Sequence, residues 1–377
     1  MTLALITLHR IVNYGSVLQT YATQRILETL GTQVKVIDYY DERMTMHGML
    51  KRLKNKKKAL QNPLFLLIAE LIMFPSYVTR FRIFKKFLRE QIHLTEKTYH
   101  SFEELQSYIP EADIYCTGSD QVWNSGWNEK IDKALFLEFV AKGKPCFAYA
   151  ASFGKQKLDD WEIPETQNFL KKYLALSCRE SAGVKILKNL GFESQHVLDP
   201  TLLLNGENWK ELASKKFENK KYVFVYNLNR NKKIDETAKF LSKRFRIPIY
   251  TVSYCYHEIP LRQGKVFVNP PVEDFLSLLA NASYVITDSF HATAFSINFG
   301  REFFVFYPGL FSSRLSSVLE LVGTKERALS EPKDVEKFLD RTLDYSGIHN
   351  ALQKARNESM DFLKMALEKA NEVAYRN

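Results

Sequence analysis

Cysteine is scarce. The four present among 377 residues, Cys116, Cys146, Cys178 and Cys255, are widely spaced. No pair has the spacing of a structural zinc site, so no metal is expected, and each lies in or beside an apolar run. They read as reduced core thiols of a cytosolic protein. A GxGxxG fingerprint is missing, which argues against a bound dinucleotide. Short-period repeats and low-complexity tracts are absent, which argues against a solenoid or a largely disordered chain. The opening MTLALITLHR has no basic n-region before its apolar residues and reads as a first buried strand, not a signal peptide.

Hydrophobic residues make up 45% of the chain, enough for a globular protein, and the length suits two domains with separate cores. The formal net charge of +10 is unevenly spread. Residues 51–58 read KRLKNKKK and 80–89 read RFRIFKKFLR, around an apolar stretch NPLFLLIAELIMFPSYV. That stretch contains Glu70 and reads as too short to span a bilayer. Two readings fit it: a peripheral helix through which 51–89 rests on an anionic membrane surface, or a buried hairpin helix with solvated ends. No nucleic-acid partner is expected.

Strand-like and helix-like segments alternate. LALITL (3–8), the loop HRIVNYG, the helical SVLQTYATQRILETLG and the strand VKVIDYY form a β–loop–α–β unit, which implies a parallel sheet. After a basic helical insertion at about 44–95 come a helix FEELQSYI, strands ADIYCTG and KPCFAYAASFG, a helix ETQNFLKKYL, a strand LALSCRE, a helix SAGVKILKNLG and a strand HVLDPTLLL. A second series follows from 221: YVFVYNL, KKIDETAKFLSKRF, PIYTVSY, VEDFLSLLANA, YVITDSF, HATAFSINFG and FFVFY. The expected domains are 1–203, 204–344 and a helical tail 345–377 that packs back on the first. Two α/β halves place a cleft between two sheets, and ligands gather beyond the carboxyl ends of parallel strands.

Five strand ends carry polar residues. NYGSVLQ (13–19) offers Gly15 for a close backbone approach and a helix start suited to an anion. TGSDQVWN (117–124) places Asp120 and Gln121 at a rim, with Trp123 either as a platform for a sugar face or as a core residue. Arg179 in LSCRES is either an anion fork or half of a surface ion pair. In TDSFHATAF, Asp288 or Ser289 caps a helix whose first turn carries His291, a candidate for proton transfer. Arg314 in SSRLSS is a candidate phosphate clamp.

Together the segments NYGSVLQTYA, GSDQVWN, AYAASFG, SCRES, VLDPTLLL, TDSFHATAFS and FSSRLSSVL resemble the polysaccharide pyruvyl transferase family, in the family's order, over about 10–325. The resemblance implies an α/β fold of two Rossmann-like domains, glycosyltransferase-B-like, with a cleft between them. It implies transfer of the enolpyruvyl unit of phosphoenolpyruvate to two hydroxyls of a sugar, closing a pyruvate ketal. The acceptor would be a polysaccharide repeat unit, lipid-linked at the cytoplasmic leaflet, and no cofactor is needed. The family's donor-site histidine maps to His291. Some members have an arginine two positions before it, where this chain has Ser289, so Arg179 and Arg314 become the leading clamps for phosphate and carboxylate. Ser289, Asn13 and Gly15 are placed on the donor side, and Gln121, Trp123 and Tyr14 on the acceptor side. His291 then acts as general acid and Asp120 as base. Two other readings stay open: a nucleotide-sugar glycosyltransferase of the same architecture, and a non-catalytic peripheral component of polysaccharide assembly.

Overall fold

The computed structural model describes residues 1–56, 61–308 and 312–375. Lys57 and Lys58 of the first basic cluster, and Phe311 of FSSRLSSVL, lie outside the described residues. The elements of the first half are β1 (Thr2–Ile6), α1 (Tyr14–Thr29), β2 (Gln33–Tyr39), α2 (Met46–Lys56), α3 (Pro63–Gln91), β3 (Leu94–Tyr99), α4 (Phe102–Ser107), β4 (Ile114–Thr117), α5 (Ser125–Asn128), β5 (Cys146–Ala151), α6 (Ile163–Leu170), β6 (Tyr173–Cys178), α7 (Ser181–Asn189), β7 (Gln195–His196) and α8 (Pro200–Leu203). There follow α9 (Gly206–Leu212), β8 (Val223–Tyr226), α10 (Lys232–Phe245), β9 (Ile249–Ser253), β10 (Lys265–Val268), α11 (Val272–Ala280), β11 (Tyr284–Thr287), α12 (Phe290–Asn298), β12 (Glu302–Val305), α13 (Ser312–Leu321) and α14 (Tyr345–Ala374).

Two parallel sheets result. The first has the order β3-β2-β1-β4-β5-β6-β7 and the second β10-β9-β8-β11-β12. Both are Rossmann-like, so the α/β fold of two Rossmann-like units is the observed one. In each sheet the strand order reverses beside the first strand of the series, between β1 and β4 and between β8 and β11. The central strands are continuous apolar runs because both faces are covered; β1 (TLALI) and β8 (VFVY) are buried almost throughout. The helices bury one stripe. In α10, Ile234, Thr237, Ala238 and Leu241 recur at helical spacing and are buried, while Lys239 and Lys243 are exposed.

The chain divides into one unit of residues 1–48, 87–203 and 353–377 and another of 49–86 and 204–352. The last segment of α14 belongs to the first unit: the Ser359 hydroxyl accepts from Leu198 N at 2.9 Å, and Arg356 Nε donates to Leu202 O at 2.9 Å. The cysteines are unpaired, with Cys116, Cys146 and Cys178 buried, and burial pushes the Cys146 thiol up to about 12.

Three expectations need correction. HVLDPTLLL is not a long strand: only Gln195–His196 pairs with β6, and the chain then turns into α8. Pro200 has no ladder donor, and the Asp199 carboxylate accepts from Thr201 N at 3.0 Å, starting the helix. Two edge strands were not expected: β3, LTEKTY, is partly exposed and mostly polar, and β10, KVFV, is apolar but only four residues long. The apolar stretch after residue 62 is not the buried hairpin helix. It forms a 29-residue helix, α3, with Pro75 inside it. Among the described residues this is the one helix long and apolar enough to cross a membrane, with mean hydropathy 1.6 over an 18-residue window that is 11% buried.

Candidate functional site

In the first unit the residues after β1, β4 and β6 converge. Asn13 caps α1, its side chain accepting from Ser16 N at 2.8 Å. Ser16 Oγ then donates to Asp120 Oδ2 at 2.7 Å, so an anion at this helix start is the protein's own carboxylate. Asp120 has φ +79°, a left-handed conformation that costs a non-glycine residue about 1 kcal/mol or more. Its carboxylate is held in place by Ser16, by its neighbour's amide (Gln121 N, 2.8 Å) and by Arg179 Nη2 at 3.0 Å. Gly118, two residues earlier, is required by space: a Cβ there would meet Leu5 Cδ1 at 2.9 Å.

Arg179 is the hub. Its side chain is 0% exposed. Nη1 donates to Asp199 Oδ2 at 2.7 Å, Nη2 to Asp120, and Nε lies 3.9 Å from Glu180 Oε2. Burial alone would lower the guanidinium pKa, but the three carboxylates of Asp120, Asp199 and Glu180 raise it above its ordinary value. Glu180 in turn accepts from Phe153 N at 3.1 Å, and Ser119 Oγ donates to Asp199 Oδ2 at 3.2 Å. The expected anion fork is therefore corrected: this guanidinium is enclosed among carboxylates and holds Asp120 and Asp199 together.

Trp123 is also corrected. It is 3% exposed and stacks on Phe136 at 5.4 Å, with Phe153 at 5.1 Å and Tyr173 edge-on at 6.0 Å. It is a core residue, and no sugar can lie on it. Tyr14 is fully buried and Gly15 lies in the first turn of α1, so neither is in an open loop. Gln121 is only partly buried and accepts from Asn124 Nδ2 at 2.6 Å; Gly154, with φ +60°, passes so close that a Cβ would meet Gln121 Oε1 at 2.3 Å. The more exposed indole in this region is Trp127, at 37%. A second buried polar cluster follows β1. The Asp38 carboxylate meets His9 Nε2 at 3.0 Å, Arg10, and Thr98 Oγ1 at 2.6 Å. Burial would raise its pKa, but the hydrogen bonds from His9 and Arg10 outweigh that and hold it well below the usual carboxylate range.

In the second unit the corresponding position lies after β8 and β11. Ser289 is the N-cap of α12, its Oγ accepting from Ala292 N at 3.4 Å. Asp288 does something else. Its carboxylate accepts from Leu228 N (2.8 Å), Asn229 N (2.9 Å) and Asn229 Nδ2 (2.8 Å), tying the loop after β8 to the end of β11. His291 stands in the first turn of α12, half-buried, with its ring edge-on to Phe290 at 5.1 Å. Arg314 of α13 lies over the Phe290 ring at 5.9 Å, so one aromatic ring contacts both the imidazole and the guanidinium. A histidine at a helix start and an arginine anchored beside it form a group suited to a doubly charged anion.

These candidates fall in two groups, each described by itself: Asn13, Tyr14, Gly15, Asp120, Gln121, Trp123 and Arg179 in the first unit, Ser289, His291 and Arg314 in the second. Sequence reasoning missed Asp199, Glu180 and Asp288 as organisers, although Asp199-Pro200 at a strand end and Glu180 beside Arg179 were visible. Among the described residues, one group, Cys255, His257 and Glu258, converges closely enough for a cation. Glu258 is already bonded by Arg230 and Arg262, and although burial would raise its pKa, these bonds bring it down to about 2. Two guanidiniums on the central carboxylate oppose a metal there. A depression of about 570 Å³ lined by Glu138, Lys144, Phe169 and Lys172 lies at the amino ends of β5 and β6, the wrong end of the sheet for this chemistry.

Several solved structures share the fold. A UDP-N-acetylglucosamine 2-epimerase from Rickettsia bellii matches at 10% identity over 99% of this chain and 97% of its own, with a TM-score of 0.55. The S. aureus MnaA–UDP complex matches at 9% identity over 93% and 90%, with a TM-score of 0.51. The UDP-GlcNAc 2-epimerase of Methanocaldococcus jannaschii, in complex with UDP-GlcNAc and UDP, matches at 14% identity over 93% and 98%, with a TM-score of 0.50. At such identities the likeness speaks for the fold alone, which is of the glycosyltransferase-B-like kind. No curated protein matches the chain in sequence. The model of the polysaccharide pyruvyl transferase family matches residues 13–309, and the chain belongs to that family.

Proposed function

We propose that this chain transfers the pyruvyl unit of phosphoenolpyruvate to two hydroxyls of a sugar in a lipid-linked polysaccharide repeat unit, closing a pyruvate ketal. The family supports a polysaccharide pyruvyl transferase in general. The observation that carries the finer reading is the group on α12 and α13, where His291 and Arg314 share Phe290 at the carboxyl end of β11.

The reaction needs a proton on the methylene carbon of the enol phosphate. That leaves an oxocarbenium-like C2, which one sugar hydroxyl attacks while losing its proton. The C2–O bond to phosphate then breaks, and the second hydroxyl closes the ketal with loss of its proton. Two hydroxyl protons are released; one balances the proton delivered to carbon and the other leaves with phosphate. His291 is the proposed donor to carbon. The helix start favours a phosphate dianion alongside the imidazole. Arg314 is the proposed clamp for phosphate or carboxylate, and the small Ser289 leaves room beside it. On the acceptor side Asp120 is the proposed base and Gln121 a hydroxyl contact, with Arg179 positioning Asp120 rather than touching substrate. No step requires a metal or an organic cofactor.

The test is an assay of the purified protein with phosphoenolpyruvate and a mixture of lipid-linked oligosaccharides, scored for inorganic phosphate and for a ketal-sized mass increase of the acceptor. Release of phosphate with the mass increase supports the reading. Release of a nucleoside diphosphate from nucleotide sugars, with none of phosphate from phosphoenolpyruvate, would replace it by a glycosyltransferase.

A further inference from the structure

Helix α3 presents a stripe that nothing in its own unit covers. Leu64, Leu67, Ile68, Leu71, Phe74 and Val78 recur at intervals of three, four and seven residues, and all are exposed, Leu71 to 66%. They therefore share one face of the helix. The same intervals carry the stripe on into Arg82, Lys85, Lys86 and Arg89, which are also exposed. One face thus changes from wholly apolar to wholly basic along its length. Glu70, the single acidic residue between Pro63 and Val78, lies off the stripe and is half-buried.

The opposite face is fastened to the second unit. Ser76 and Tyr77 are buried. Ser76 Oγ accepts from Tyr256 N at 2.9 Å, and Asn269 Nδ2 donates to Ser76 O at 3.2 Å. Arg80 Nη2 donates to Tyr254 O at 2.9 Å, with its guanidinium over the Tyr254 ring at 4.4 Å. These partners follow β9 and β10, so the helix is anchored on the carboxyl side of the second sheet, the side that also carries His291. Tyr256 and Leu261 add exposed apolar surface beside the anchor. A helix held along one face cannot thread a bilayer as an isolated span. Its apolar half, Pro63–Val78, is also only about 24 Å long, short of a hydrocarbon core of roughly 30 Å.

We propose that α3 docks the protein on an anionic lipid surface, the apolar stripe entering the acyl boundary and the basic continuation lying against headgroups. Charge complementarity selects this occupant. A basic end favours anionic headgroups, and exposed Lys51 and Lys54 of α2 add positive charge ahead of the stripe in the sequence. A second copy of the chain would bring two basic faces together, which charge repulsion opposes. The proposal does not rest on the pyruvyl-transfer reading, because docking is measured without substrate.

The test is flotation of the full chain with vesicles of neutral phosphatidylcholine or of phosphatidylcholine with 30% phosphatidylglycerol. The expected result is binding to the anionic vesicles only, weakened by raising salt from about 0.05 to 0.5 M. Arg82→Gln, Lys85→Gln and Lys86→Gln together should weaken partitioning about 100-fold. Leu67→Gln with Leu71→Gln should abolish it, with circular dichroism and thermal melting confirming that the exposed substitutions leave the fold intact. As an independent readout, Phe74→Trp should be quenched by brominated acyl chains over the intrinsic tryptophans. Wild-type binding by both variants, absence of anionic binding, or a concentration-dependent dimer abolished by the apolar variant without vesicle binding would each overturn the proposal.

Discussion

Replacing Arg179 with methionine should destabilise the first unit severely. The side chain is fully buried, and the substitution keeps most of its length while removing the charge. Two charge-assisted hydrogen bonds are lost, to Asp120 and Asp199, and three carboxylates remain with their cation gone. Hydrogen bonds to charged groups are worth about 1.5–3 kcal/mol each, and removal of one partner from a buried ion pair costs about 3–5 kcal/mol. Both routes lead to a loss of about 4 kcal/mol, or roughly 10 °C in Tm for a unit this size. Urea unfolding followed by tryptophan fluorescence measures it, since Trp123, Trp127 and Trp161 report on this unit. Adding Asp120→Asn and Asp199→Asn to the methionine variant removes the stranded charges, and should recover more than half of the loss. A single variant within 1 kcal/mol of wild type would refute the reasoning, and would do so decisively if phosphoenolpyruvate no longer raised its Tm. That outcome would return Arg179 to the donor site.

His291→Gln should keep the wild-type melting temperature and cut turnover by about two to four decades, the range for a lost general acid; a melting loss with retained turnover per folded molecule would mark the residue as structural. Arg314→Ala should weaken phosphoenolpyruvate binding by about one to two decades in calorimetric titration, with little effect on stability. Ser289→Ala should cost about 0.5–1 kcal/mol in urea unfolding, because the lost cap bond is a long one. Glu258 has a folded pKa of about 2, below its ordinary 4.5, so its contribution to stability is complete above pH 4.5 and lost as pH falls toward 2. Glu258→Gln should therefore flatten the fall in stability across that window, and an unchanged acid profile would show that the Arg230 and Arg262 bonds contribute nothing there.

Most of the fold was legible because the buried central strands are continuous apolar runs and the helices keep their stripes. KKIDETAKFLSKRF coincides with α10 from end to end. The sequence misleads where tertiary context overrides composition: the edge strand β3 looks like a polar connection, and β10 is too short to stand out. HVLDPTLLL looks like a strand until Pro200 and the Asp199 side chain redirect it. The positions of candidate residues were legible from strand ends, but their accessibility was not. Trp123 and Arg179 look alike in sequence to residues that meet ligands. Only the packing of Phe136, Phe153 and Tyr173, and the convergence of three distant carboxylates, shows that they are enclosed. Ser289 as cap was read correctly between two alternatives, whereas the loop-tying role of Asp288 depends on residues sixty positions away.

The closing stretch of α14 has a consequence for how the molecule is made. Residues 353–377 supply part of the first unit, where Ser359 and Arg356 satisfy backbone groups at Leu198 and Leu202 and Phe362 meets Tyr149 at 6.3 Å. On a ribosome these residues emerge after the whole of the second sheet. The second unit has nearly all of its contacts available first, while the first, though begun earlier, waits with an apolar flank uncovered until the segment from residue 353 onward has emerged. Assembly order is thus the reverse of chain order. A nascent chain stalled near residue 340 should expose that flank to chaperones and proteases, and one in which residues 353–375 have emerged should lose the sensitivity within a single step.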